Sequence, residues 1–176
     1  MSGAVTVIET PRLRLRTASV DDAAFFLGLV NEPTWLATIG DRQIHTVDAA
    51  RAALETGPIA QQQELGYSFY IVEHRGDGVA IGMCGLIKRD VLPDTDIGYA
   101  MSPRYWGQGY AYEAAAAVVA HARGALGLPR LMAITAPDND ASIQLLGKLG
   151  MRFIERTRLD GWEEPSNVYR LDFHNA

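Results

Sequence analysis

The run Arg104-Tyr105-Trp106-Gly107-Gln108-Gly109-Tyr110-Ala111 stands between a strand-like segment and an alanine-rich one. Before it, Thr95 to Met101 reads as a strand that Pro103 closes. After it, Gly109 to about Leu126 reads as a helix built on alanine, the strongest helix former. Strand, glycine turn and helix in that order make a physical device. The first helical turn has backbone N–H groups without intrahelical acceptors, and the helix dipole adds partial positive charge there. Together they favour an anion, phosphate above all. Gly107 and Gly109 let the backbone approach a ligand, and Arg104 is placed to add a charge-assisted contact. Taken alone, the turn is equally open to glycines that serve packing only.

The rest of the chain reads as strands and helices around this turn. Arg12-Leu13-Arg14-Leu15-Arg16 alternates charged and apolar residues, the signature of a half-buried strand. Ser19 and Asp22 then make a capping-box-like start for a helix whose apolar face is Phe25, Phe26, Leu29 and Val30. Pro33 is expected to end or bend it. Trp35 to His45 reads as a loop or short helix, and Asp48 to Glu55 as a helix stopping near Gly57-Pro58. Tyr67 to Glu73 and Val79 to Lys88 read as a hairpin about the turn His74-Arg75-Gly76-Asp77-Gly78. Beyond the alanine-rich helix come a short strand, Leu131 to Thr135, and a helix from Asp138-Asn139-Asp140 to about Leu149. Strands near Arg152–Arg158 and Val168–Phe173 follow, about a turn at Asp160-Gly161. The order is β-α-α-β-β-β-α-β-α-β-β. No repeat, low-complexity tract or linker interrupts it, so residues 1–176 are expected to form one mixed α/β domain.

Composition narrows the function classes. The net charge is −5 and no Lys/Arg run marks a nucleic-acid face. An acidic balance mildly favours cationic partners, amines among them. The lone cysteine, Cys84, lies in an apolar strand and reads as a small buried side chain; one thiol makes neither an internal disulfide nor a multi-thiolate metal site. No two histidines have a spacing that compels a metal site, so no metal is expected. The N-terminus lacks a signal-like pattern, and no window reaches the roughly 20 apolar residues of a membrane span. The expected setting is cytoplasmic, without nucleic-acid or membrane partners.

The glycine turn is not a Walker loop, because no Lys-Ser/Thr follows it, and it lacks the third glycine of the dinucleotide fingerprint. Its wider context resembles the GNAT superfamily of N-acetyltransferases. That family's R/Q-x-x-G-x-G/A signature is matched by Arg104, Gly107 and Gly109. The stretch from Ile97 to Ala114 looks like the RimJ/RimL branch, which acetylates ribosomal-protein N-termini. So does Asn139-Asp140-Ala141-Ser142 with Leu145, Lys148, Leu149 and Gly150, although Met151 replaces the usual Phe. Glu9 to Arg16 is similar to the branch's first strand. The resemblance implies a mostly antiparallel sheet flanked by helices, with central strands splayed after residues 101 and 135. It implies acetyl-CoA as cosubstrate, with its pyrophosphate on the backbone of Gln108, Gly109, Tyr110 and Ala111. Its pantetheine would lie along Tyr99 and Met101 and be hydrogen-bonded by Asn139. A homodimer is family habit.

Acetyl transfer to an amine needs a deprotonated amine, a stabilised oxyanion and a hydrogen-bonded leaving thiolate. Many GNAT enzymes protonate the thiolate with a tyrosine, but Leu146 occupies that place here. In the Rim-like branch the serine of N-x-x-S is the substitute, which makes Ser142 the candidate, against a plain backbone-capping role. Asp96 is the candidate base through a water, against an exposed strand position. Glu113 reads as a structural contact one turn into the helix. Of His45, His74, His121 and His174, only His45 falls in the presumed acceptor segment, Trp35 to Gln62. Trp35, Trp106 and Tyr67 are either pocket lining or core, and Trp106 is expected to pack beneath the loop. The acceptor is a protein N-terminus or a small-molecule amine. The alternatives are a non-catalytic acyl-CoA sensor, favoured by the missing tyrosine, and a nucleotide-phosphate binder.

Overall fold

The computed structural model describes residues 3–173, so His174 lies outside the described residues. Its centre is the strand β4 (Ala80–Ile87), buried along nearly its whole length. A continuous apolar run of this kind belongs in a sheet covered on both faces. Its neighbours are β3 (Phe69–His74) and β5 (Asp96–Met101), both antiparallel to it. Outward lie β2 (Leu13–Arg16) and β1 (Thr6–Glu9) on one side. On the other are β6 (Arg130–Thr135), β8 (Ser166–Asp172) and the edge strand β7 (Arg152–Thr157). The order is β1-β2-β3-β4-β5-β6-β8-β7, and only the β5–β6 pair is parallel. The expected mixed, mostly antiparallel sheet with flanking helices is present.

One face carries α5 (Tyr110–Arg123) and α6 (Asp140–Lys148), packed over Leu15, Cys84, Ile97 and Leu131. The other carries α1 (Ala23–Val30), α2 (Pro33–Thr38), α3 (Val47–Leu54) and α4 (Ala60–Leu65). Phe26, Leu29, Val30 and Trp35 are buried there with Ile71 and Met83. Each such side chain taken from water contributes roughly 1.5–3 kcal/mol. Trp35 is therefore core and does not line a pocket.

Local chemistry explains the element ends. Ser19 and Asp22 form the expected capping box, with Ser19 N donating to Asp22 at 2.8 Å. Asp22 also accepts both terminal nitrogens of Arg16, at 2.9 and 2.7 Å, which ties the helix entry to β2. Pro33 opens α2 rather than merely ending α1, since the first helical turn needs no N–H from it. Gly57-Pro58 does not stop the next helix. The chain widens into a π-turn over Glu55–Ile59 that absorbs the missing donor, then runs on as α4 to Gly66 at φ 79°. β1 is an addition that the sequence pattern did not reveal.

Candidate active site

β5 and β6 share a single pairing, Asp96 with Met132, secured by Met132 N donating to Thr95 O at 2.9 Å. β5 then stays with β4 to Met101 while β6 stays with β8 to Thr135. The strands therefore part directly after residues 96 and 132, not after 101 and 135. β4 and β8 each hold their partner over the full length, and sheet twist separates the unshared ends. The edge of β5 facing the gap keeps unpaired backbone groups, as an added strand requires.

At the wide end of the gap β5 runs into the glycine turn. A 3-10 turn, Pro103–Tyr105, leads to Gly107 at φ 75° and Gly109 at φ 83°. Gly109 is the N-cap of α5 and no side chain caps it. The first helical N–H with a backbone acceptor there is Glu113's, to Gly109 O at 3.0 Å. The earlier N–H groups, at Tyr110, Ala111 and Tyr112, face outward from an uncapped helix start, which fits phosphate. Arg104 is exposed on this turn, its guanidinium 5.6 Å from the Tyr105 ring. Trp106 does not pack beneath the loop. It is 54% exposed and is tied down by Nε1 donating to Met101 O at 2.8 Å.

Arg12 holds the turn from behind, a role that sequence reasoning missed. Its Nε donates to Glu113 at 2.7 Å, its Nη1 to Gln108 O at 2.9 Å, and its guanidinium lies 4.3 Å over the buried Tyr110 ring. Glu113 also accepts from Arg12 N and Thr10 Oγ1. Burial pushes the Glu113 carboxyl up, but these donors outweigh it and hold it below the usual range. The structural reading of Glu113 stands; only its partners, about a hundred residues away, were invisible in sequence.

On the α5/α6 face the structure brings together three of the predicted residues. Asn139 is the N-cap of α6, its Oδ1 accepting from Ser142 N at 3.2 Å. Ser142 Oγ lies 2.8 Å from the Tyr99 hydroxyl, which also reaches Ser142 O at 3.2 Å. Burial pushes the Tyr99 phenol up to about 12, so it keeps its proton. Met101 turns its side chain into the same core, and Leu146 is fully enclosed there. Cys84 is buried too, and burial pushes its thiol far above the usual value.

Asp96 is not brought to this pair. Alternation along β5 sends it to the opposite face, and it is buried rather than exposed. Burial pushes its carboxyl up to about 6, against the opposing charge of Arg89. Arg89 Nε sits 3.1 and 3.3 Å from the two carboxylate oxygens. Beside it Tyr67 and Thr95 share a 2.7 Å hydroxyl contact. His45 is exposed, 3.7 Å from Asp41. His74 packs edge-on to Tyr110, and His121 is half-buried with its pKa lowered by burial. Among the described residues no group of His, Cys, Asp or Glu is arranged to hold a metal ion, and no helix is long and apolar enough to cross a membrane.

A family model described as an acetyltransferase (GNAT) domain matches residues 12–152, a span that holds the parted strands, the glycine turn and the Tyr99–Ser142 pair. The chain belongs to the GNAT acetyltransferase family. This acetyltransferase uses acetyl-CoA as acyl donor and an amine as acceptor. It is 32% identical to the uncharacterized protein YkkB of Bacillus subtilis, over 98% of this chain and 99% of that one. It is 29% identical to the uncharacterized N-acetyltransferase YoaA of the same organism, over 83% and 82%. Its fold matches an acetyltransferase from Agrobacterium tumefaciens with TM-score 0.81 at 22% identity, covering 99% and 98%. It matches the ribosomal-protein acetyltransferase RimL bound to coenzyme A with TM-score 0.82 at 18% identity, covering 96% and 98%. RimL is thus one of several comparably distant matches, and the RimJ/RimL branch is not set apart from the superfamily.

Proposed function

We propose that the enzyme transfers the acetyl group of acetyl-CoA to a primary amine, of a protein N-terminus or a small molecule, in the gap between β5 and β6. The observation that carries this reading is the Tyr99–Ser142 contact at the mouth of α6. The hydroxyl that Leu146 fails to provide comes from the strand instead. Ser142 donates a hydrogen bond to the departing CoA sulfur, and Tyr99 donates to Ser142 behind it. The uncapped N–H groups of Tyr110 and Ala111, with the backbone of the turn at Gly107, Gln108 and Gly109, receive the pyrophosphate. Arg104 adds charge from the exposed side. The free edge of β5 at Tyr99 and Met101 pairs with the pantetheine by main chain, and the Asn139 amide nitrogen donates to it.

On the acceptor side, Asp96 takes the amine proton through a water as the nitrogen attacks the thioester carbon. A carboxyl raised to about 6 by burial is still ionised at neutral pH and is a better base than an exposed one. The tetrahedral oxyanion is met by backbone N–H groups of the free β5 edge. Collapse breaks the carbon–sulfur bond, and the thiolate leaves hydrogen-bonded to Ser142. Holding both substrates in one gap supplies much of the rate.

The test is thiol release from acetyl-CoA over a panel of small amines and N-terminal peptides. Turnover of at least one class is expected. Tight acetyl-CoA binding with no turnover of any amine would point to an acyl-CoA sensor instead. Preference for ATP or NAD over acetyl-CoA in calorimetry would remove the donor assignment.

A further inference from the structure

We propose that the acceptor amine carries a carboxylate or phosphate group, which Arg89 grips beside Asp96. This rests on the acetyl-transfer reading above and specifies its substrate class. Asp96 stands at the last rung shared by β5 and β6, on the sheet face opposite Tyr99 and Ser142. An acceptor must approach from that face, because the donor's thiolate is handled on the other.

Arg89 is held in place there without being used up. Both Asp96 oxygens are bound by its Nε alone. Among the described residues its two terminal nitrogens make no hydrogen bond, and its side chain is 31% exposed. Trp162, from the turn between β7 and β8, faces the guanidinium at 5.8 Å and limits where it swings. Two free parallel donors on a fixed guanidinium match a carboxylate or phosphate edge.

Arg42, on the loop between α2 and α3, is exposed, though its guanidinium is partly desolvated and feels the charge of Arg89. Both effects lower its pKa. Among the described residues Arg42 has no ion pair. Lys88 is close enough for its charge to act on Asp96, and its Nζ donates only to Leu92 O, at 3.3 Å. Arg89 and Lys88 thus share one buried carboxylate, which balances one of them. Like charges crowded away from water are unfavourable unless an anion joins them. Asp160, Glu163 and Glu164 on the Trp162 turn are exposed and solvent-screened.

The experiment compares matched amines that differ only in the anion, with thiol release from acetyl-CoA as readout. The pairs are glutamic acid against its diamide, phosphoethanolamine against ethanolamine, and a tripeptide with aspartate second against the same tripeptide with asparagine second. In at least one pair the anionic member should have the higher kcat/KM, by about tenfold or more; which pair responds separates carboxylate, phosphate and acidic-peptide sources. Arg89→Gln should shrink that ratio, while Arg89→Lys keeps more of it than Arg89→Gln. Equal or better use of the neutral members overturns the proposal, as does a ratio that survives Arg89→Gln. Silence of every amine removes acetyl transfer itself, a result distinct from turnover without anion preference.

Discussion

The hydroxyl of Tyr99 lies 2.8 Å from Ser142 Oγ, joining the middle of β5 to the first turn of α6. If the Tyr99 proton points at Ser142 Oγ, the serine proton is free to point at a sulfur. Ser142→Ala should then lower kcat by about a hundredfold, the scale of a lost proton donor, with a much smaller change in acetyl-CoA affinity. Tyr99→Phe should lower it less, and the double variant should fall short of the product of the two. Steady-state kinetics with calorimetric Kd values checks this. Unchanged turnover in Ser142→Ala would return the serine to helix capping.

Gly109 sits at φ 83° at the uncapped helix start, where a side chain would meet Arg12 Nη2 at 3.4 Å. Gly109→Val places a branched side chain in a conformation costing about 1–2 kcal/mol and fills space beside the phosphate site. Acetyl-CoA binding should weaken by more than the loss of folding stability. Thermal melting alongside calorimetry separates the two, and wild-type affinity in a folded variant would count against the cradle.

Asp96 gives a pH signature with a definite sign. Its folded-state pKa is raised from 3.8 to about 6, so the native chain binds more protons than the unfolded one between those values. Stability from this group is full below pH 4 and is lost as pH rises through 6. Asp96→Asn has no such loss, so its stability relative to wild type should grow across that window, by at most roughly 3 kcal/mol. Activity runs the opposite way. The base is the ionised form, so kcat/KM should rise through about pH 6 and the asparagine variant should lose most of it. An acid limb that survives in Asp96→Asn would assign the base elsewhere.

Arg12 positions the glycine turn through Gln108 O and Glu113. This pair is partly exposed, so its removal should cost little stability, about 1 kcal/mol or less. Arg12→Gln should instead loosen the turn and raise the KM for acetyl-CoA severalfold, with kcat nearly kept. A fall in kcat at constant KM would contradict a positioning role.

What could be read from sequence was what depends on neighbours along the chain. The glycine turn, the alanine-rich helix and the Ser19 and Asn139 caps all use contacts within a few residues, and all are present as expected. The Gly57-Pro58 stop failed because tertiary packing of Ala50 and Leu54 outweighs a local breaker. β1 was hidden because a four-residue strand has too little pattern to stand out. In the site, Ser142 was legible from its motif, but its tyrosine partner was not. Tyr99 was sought only as main chain, and the expected tyrosine was sought at Leu146. Arg89 carries no local signal at all. It matters only because folding brings the turn after β4 against a buried carboxylate.

The single rung between β5 and β6 makes the sheet two plates joined at one hinge point. A ligand lying in the gap would act as a mortar between them, so donor occupancy and mechanical stiffness should rise together. Amide exchange in Ile97–Met101 and Ala133–Thr135 would then slow with acetyl-CoA concentration, and melting temperature would follow it by mass action. Seen this way, the thioester substrate is also the missing strut of the protein's own architecture, and each turnover briefly takes that strut apart.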